Sequence, residues 1–288
     1  MFLLSELFKN SLKETFQITL IIFVLMVIIE LLVLKFNKQI IKFVKKNTFL
    51  SNIISSFFGI IPGCVGTFVI DSAYMSGLVG FGGIIAVMIA TSGDESFLML
   101  SMLASGDIAL KTVIILISSL FFLGILSAYV GEFLKKKLHF KISKKCLIKK
   151  HEHEFNLKHF FKEHLWKHII KKHIWQIFLW IFVAIFLIQL TGEFIDLNVL
   201  LQGTNIWFIF LIASLVALLP ISGPNIFLLV LFSKGMIPFS ILLVNSIIQD
   251  GHGLLPIIGF SIDDAIKIKI INYFIGVIVG GLLLFFGL

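Results

Sequence analysis

A chain of 288 residues, 58% hydrophobic and only 14% charged, with a mean hydropathy of +1.06, has too little polar material to clothe a water-soluble domain. Its formal charge of +8 comes from Lys alone, no Arg being present. Those Lys gather mainly in two stretches, a mark of membrane topology rather than of nucleic-acid binding. The apolar runs reach the roughly 20 residues that a spanning helix needs and do not alternate as barrel strands would, so the expected class is an all-α integral membrane protein.

The N-terminal MFLLSELFKNSLKETF lacks the basic start and small-residue cleavage site of a secretory signal, and Glu6 and Glu14 are unlike a transit peptide. The first apolar run, 16–34, is therefore expected to stay in the protein, with Glu30 near its cytoplasmic end as an interfacial residue. Lys35 to Lys46 follow and are assigned to the cytoplasm. From 47 to 104, Pro and Gly at 59–66, 77–83 and 92–93 cut the chain into pieces shorter than a span. Three short helices, or one crossing plus a re-entrant hairpin, fit that stretch equally. Broken backbone at membrane depth survives only where protein or water satisfies it, so the breaks point to the site. A second long run, 112–134, leads into the Lys-rich segment Lys135 to Lys172, also assigned to the cytoplasm, and a third spans 174–192. Pro220, Gly223, Pro224, Gly235, Pro238 and Gly251 to Gly253 then break the C-terminal part. Two cysteines, Cys64 and Cys146, are too few for a disulfide scaffold, and both are expected to be reduced.

The two broken regions share a register. Pro62 pairs with Pro220 (220 − 62 = 158), and Gly77 with Gly235, Phe81 with Phe239 and Gly93 with Gly251 fall at the same offset. Backwards it pairs Phe2 with Phe160, Leu7 with Leu165, Lys9 with Lys167 and Lys13 with Lys171; forwards it pairs Lys111 with Lys269. The domain reading is a first transmembrane repeat at 1–130, a Lys/His-rich connector at 131–158 and a second repeat at 159–288. KFNKQIIKFVKK follows the first helix of one copy, whereas EFIDLNVLLQGT, with Glu193 and Asp196 and no Lys, follows that of the other. Equivalent loops on opposite faces require an odd number of crossings per copy. The expectation is thus two inverted-topology repeats of about five transmembrane or re-entrant helices each, with broken helices at the repeat interface.

Ionisable residues inside the apolar frame are the candidate site. ATSGDESF carries Asp94 and Glu95; NSIIQDGHGLLP carries Asn245, Gln249, Asp250 and His252; and Thr91 to Glu95 maps onto Gln249 to Gly253. Carboxylates with one imidazole and amide oxygens suit Mn²⁺, Fe²⁺, Co²⁺ or Zn²⁺ better than a soft ion, which would want thiolates. The competing reading is that these groups cap broken half-helices, Asp94 standing at a helix N-terminus. Asp71, Cys64 and Asn225 are candidates to stand behind the ligands, the alternative for Asp71 being a place at an aqueous end. Seven of the eight His lie between His139 and His173. His164 and His168 at i,i+4, with His151 and His153 in HEHE, form a candidate cytoplasmic metal-collecting cluster. The alternative there is an amphipathic interfacial helix at 159–173.

At ATSGDESF, PGCVG and NSIIQDGHG the chain resembles the family of ten-helix heavy-metal exporters, whose members are also labelled manganese transporters or arsenic efflux proteins. The resemblance covers both halves and implies export of a metal or metalloid ion across the plasma membrane, with five segments per half. The reading is a secondary transporter, not an enzyme, exporting a divalent ion with Mn²⁺ preferred. A proton or ion gradient is the expected driver, since no GxxxxGK[ST] motif is present. No cofactor beyond the transported ion is expected. The partners are that ion and the bilayer, with no nucleic acid, and a homo-oligomer is left open. An arsenic or metalloid permease, a lipid scramblase and an intramembrane metalloenzyme remain as alternatives, the last without an HExxH motif.

Overall fold

The computed structural model describes residues 5–20, 22–24, 27, 48–140, 174–194, 204–219 and 223–287. The basic loop after the first helix, Glu30, Cys146, Asp196, the His-rich connector with His151 and His153, and the 159–173 segment with His164 and His168 lie outside the described residues. Among the described residues the protein is helical throughout, with no strand.

The N-terminal helix α1 covers 5–20. It is followed by α2 (Thr48–Gly59), α3 (Val65–Met75), α4 (Phe81–Ala90), α5 (Glu95–Ser105) and α6 (Leu110–Lys137). The second half supplies α7 (Trp175–Phe194), α8 (Ile206–Val216), α9 (Gly223–Ser233) and α10 (Phe239–Ile248), then one turn of 3₁₀ helix at Gly251–Gly253, α11 (Leu254–Phe260) and α12 (Ile262–Phe285). Phe8 of α1 meets Phe182 and Phe186 of α7 edge-on, with ring centroids 5.3 and 6.1 Å apart.

Among the described residues, four stretches are long and apolar enough to cross a membrane: Phe81–Ser105 through its break, Leu110–Lys137, Phe239–Phe260 through its break, and Ile262–Phe285. Their surroundings differ. The two broken stretches are 94% and 78% buried and the two continuous ones 33% each, so broken helices form the centre and continuous ones the wall. The wall is built inside out relative to a soluble protein. On α6, Gly124, Ser127, Ala128 and Gly131 face inward while Phe122, Leu126, Tyr129 and Phe133 face outward. On α12, Asn272, Gly276 and Gly280 face inward and Phe274, Ile278 and Leu282 outward. Small residues let backbones approach, and large apolar ones meet lipid tails at no cost. At Gly124 the approach is so close that a Cβ would stand 2.7 Å from the Ala86 carbonyl oxygen.

The stretch 48–75 forms a helical hairpin. Gly59 abuts Val87 and Ala90 at one end of α4, and Gly83 near the other end abuts Ser51 and Ser55. Helices α2 and α4 therefore run parallel, and α3 must return between them. Helices α2 and α3, 12 and 11 residues long, are each shorter than a span, while the broken α4–α5 stretch is long enough to cross. The hairpin tip reaches the α4–α5 break, where Gly63 N–H donates to the Gly93 carbonyl at 3.0 Å.

The second half repeats the pattern. Helices α8, α9 and α10 begin 158 residues after α2, α3 and α4 (206 − 48, 223 − 65 and 239 − 81). The left-handed glycines match as well: Gly77 and Gly235 have φ of 71° and 72°, and Gly93 and Gly251 have 52° and 50°. The offset does not persist, however. Helix α11 and its exit are shorter than α5 and its exit, so α12 begins only 152 residues after α6 (262 − 110 = 152). The expected pairing of Lys111 with Lys269 is corrected accordingly; Lys269 occupies the place of Ile117, deep in its helix, whereas Lys111 lies exposed near the start of α6.

Candidate functional site

The two helix breaks meet at the centre of the molecule, and they meet at equivalent positions. Gln249 Nε2 donates to the Thr91 carbonyl at 3.3 Å across 158 residues of sequence. Asp94 Oδ2 lies 3.5 Å from His252 Nδ1, again 158 residues apart (252 − 94). Thr91 and Gln249 both end their helices in extended backbone, ψ 131° and 135°, after which Gly93 and Gly251 turn the chain with positive φ. A side chain at Gly93 would be strained by that φ. It would also be crowded, because its Cβ would stand 2.7 Å from Glu95 Oε2 and 3.7 Å from Gln249 Oε1.

Beside this contact lies a small cavity lined by Ser92, Glu95 and Ser96 of the first half and Asn225, Asn245 and Gln249 of the second, with Met99, Leu116, Leu229 and Leu242 among its apolar walls. Glu95 opens α5, where the helix N-terminus favours a carboxylate, and stands beside the Asn225 side chain. The amide oxygens of Asn245 and Gln249 are buried with no hydrogen-bond donor among the described residues. The cavity thus offers one carboxylate and several neutral oxygens. It holds no thiol: Cys64, buried at the N-terminal end of α3, is not among the cavity's lining residues.

The remaining expected site residues divide. Asp94 occupies the N-cap position of α5 but makes no side-chain cap bond, turning to His252 instead. Asp250 is wholly buried, and both its oxygens are engaged. Lys269 Nζ donates to Oδ2 at 2.6 Å and Asn272 Nδ2 to Oδ1 at 2.8 Å, while Lys269 also donates to the carbonyls of Ile248 at 2.8 Å and Ala217 at 3.1 Å. A buried carboxylate is tolerated beside a part-buried ammonium when both are fully hydrogen-bonded. Asp71 is wholly buried on α3, outside the cavity. Among the described residues, no three His, Cys, Asp or Glu side chains gather as one metal-binding group. An ion at Glu95 would therefore be held by one carboxylate together with amide and hydroxyl oxygens, rather than by Asp94, Asp250 and His252 together.

Several participants were not singled out by the sequence. Lys269 and Asn272 were hidden in an apolar run that reads as an ordinary span, although a lysine seven residues into α12 is itself a signal. Thr67, whose Oγ1 lies 3.0 Å from Thr91 Oγ1, and Tyr74, whose hydroxyl donates to Asp264 Oδ2 at 3.0 Å, carry no sequence mark beyond their type.

A lipid-compatible wall around broken helices whose interruptions build a polar centre fits a multi-pass helical membrane protein. The chain belongs to the family described as "Putative, 10TM heavy-metal exporter", which it matches over residues 4–178 and 172–287. No curated protein and no solved structure is significantly similar to it. Membership supports metal export as the general activity and a transporter rather than an enzyme as the class.

Proposed function

We propose that the protein is a secondary transporter that exports a divalent metal ion, with Mn²⁺ preferred, across the plasma membrane through two inverted halves. The observation that carries this reading is the contact between equivalent positions, Thr91 with Gln249 and Asp94 with His252, beside an oxygen-lined cavity. Positions related by a two-fold axis touch one another only near that axis.

Inversion is supported by which ends meet. Tyr74 at the C-terminal end of α3 bonds Asp264 at the start of α12, and Lys267 of α12 lies 5.3 Å from the ring of Phe140, just past α6. Were the halves parallel, the start of α12 would share a face with the start of α6, and so would lie a membrane's thickness from these partners. On this reading each half crosses three times with its hairpin re-entrant, and Lys135 to Lys137 favour the cytoplasm for the α6 exit and the connector.

Glu95 supplies the charge that attracts the ion, while Asn225, Asn245 and Gln249 supply neutral oxygens, a hard set suited to Mn²⁺ and poor for a thiophilic ion. The cavity has room for about one water molecule, which fits an ion and not a lipid headgroup. Asp94 with His252 holds the halves in register beside it, and Asp250 with Lys269 braces the second half. Alternating access is a rocking of one half against the other about this centre, and a proton or ion gradient drives it.

The test is metal tolerance and accumulation in a manganese-sensitive host expressing wild type, Glu95→Gln or Asn245→Ala at matched protein levels. Wild type is expected to lower cellular manganese, and both variants to lose the effect. Unchanged manganese, zinc, iron and cobalt in the wild-type strain would defeat the reading.

A further inference from the structure

Asp71 is a buried acid that neither the cavity nor the central contacts use. It lies in the middle of α3 with no exposed surface, and among the described residues neither carboxyl oxygen has a hydrogen-bond partner. The charged and titratable groups around it are already committed. Asp250, the acid whose field reaches it from the second break, is matched by Lys269 and Asn272. The three donors of Lys269 are spent on Asp250, Ile248 and Ala217. His252 and Asp94 face each other, and Glu95 lies on the cavity side beside Asn225. On α3 itself, Cys64 precedes Asp71 by two turns, and Tyr74 follows it with its hydroxyl on Asp264. Helix α2 brings only the neutral Ser51, Asn52 and Ser55, and α4 and α11 bring no ionisable residue. An acid so placed is tolerated while it keeps its proton and must find water or a cation when it loses it.

Its position relative to the cargo cavity is equally specific. At the 158-residue offset that relates α3 to α9, the counterpart of Asp71 is Leu229, which lines the cavity (229 − 71 = 158). The counterpart of Glu95 is Gly253, whose Cβ would meet Thr67 at 2.6 Å and leave no room for a cavity on that side (253 − 95 = 158). One face of the central contact thus carries a carboxylate in an oxygen-lined cavity, and its mirror face carries a buried acid with no hydrogen-bond partner among the described residues.

We infer that Asp71 is the proton-carrying site of the transport cycle, set across the central contact from the metal cavity. The inference rests on the exporter reading above and adds to it the residue through which the gradient acts. In the arrangement described, the acid is closed off and holds its proton. When the halves rock and water reaches α3 from the cytoplasmic side, the proton leaves as hydronium; the opposite movement opens the carboxylate to the outer face, where it is protonated again. One proton passes inward for each ion passed outward, with no other bond made or broken.

The experiment uses the full chain reconstituted in vesicles, with Mn²⁺ as the probe and a pH-sensitive dye inside. Exchange of Mn²⁺ at equal pH on both sides requires the cavity but no net proton movement, whereas net Mn²⁺ movement under an imposed pH gradient requires coupling. Asp71→Asn is expected to keep exchange while losing both the gradient-driven movement and the accompanying proton flux, and Asp71→Glu to restore them. Proton-coupled movement persisting in Asp71→Asn would overturn the inference, as would loss of exchange in a variant that remains monodisperse. Should Asp71→Asn not be recoverable, Asp71→Glu alone carries the test: a moved pH of half-maximal net flux supports the site, and an unmoved one overturns it. A wild-type chain that exchanges no Mn²⁺ defeats the exporter reading itself, a result visible before any variant is made.

Discussion

The segments 91–95 and 249–253 follow nearly the same backbone path, yet one frames a cavity and the other a closed ion pair. In the first, Ser92 leaves space and Glu95 fills it with a carboxylate facing Asn225. In the second, the residue equivalent to Ser92 is Asp250, locked by Lys269 and Asn272, and the residue equivalent to Glu95 is Gly253, packed on Thr67. Backbone symmetry built from Gly turns and helix ends can therefore be kept while side chains make the two sides do different work. A binding site displaced from the axis, with a rigid counterweight opposite, is the outcome.

Substitutions that treat the two sides alike sharpen this contrast. The largest effect is expected from Glu95→Gln, which should abolish Mn²⁺ exchange in vesicles without lowering the melting temperature; retained exchange would mean that the cavity is not the cargo site. On the closed side the consequence is stability instead. Lys269→Met leaves the Asp250 charge buried and unpaired, which costs about 3–5 kcal/mol, whereas Lys111→Met, at an exposed position, should fall within about 0.5 kcal/mol of wild type. Thermal unfolding in detergent checks both, and the double variant Asp250→Asn with Lys269→Met should recover much of the loss. The smallest difference concerns the glycines. Gly93→Ala and Gly251→Ala each pay about 1–2 kcal/mol for a left-handed backbone. Gly93→Ala also displaces Glu95 Oε2, so it should weaken Mn²⁺ binding, as read by titration calorimetry.

The shared offset was legible because Pro and Gly punctuate an otherwise featureless apolar sequence. The offset set by Pro62 and Pro220, Gly77 and Gly235, and Gly93 and Gly251 recurs in the starts of α2 and α8, α3 and α9, and α4 and α10. It failed at the last helix because α11 and its exit are shorter than α5 and its exit, and nothing in a run of Ile and Leu marks a missing turn. Asp94, Glu95, Gln249 and His252 were found at the centre because polar residues in an apolar frame have few other reasons to be there. Their division into an ion cavity and interface contacts was not legible, since it depends on which neighbour each meets. Asp250 reads as a ligand until Lys269 is found against it, and that lysine reaches it from 19 residues away on another helix.

If two inverted halves make this one site, their equivalent helix entrances open on opposite sides of the membrane. Asp107, just before α6, and Asp263, at the start of α12, stand at equivalent helix entrances and are both exposed. In a chain whose Cys64 and Cys146 are replaced by Ser, Asp107→Cys and Asp263→Cys are to be labelled singly in intact cells with a membrane-impermeant maleimide. The account predicts that Asp107→Cys reacts from outside and Asp263→Cys only after the membrane is opened. Reaction of both from the same side would contradict it.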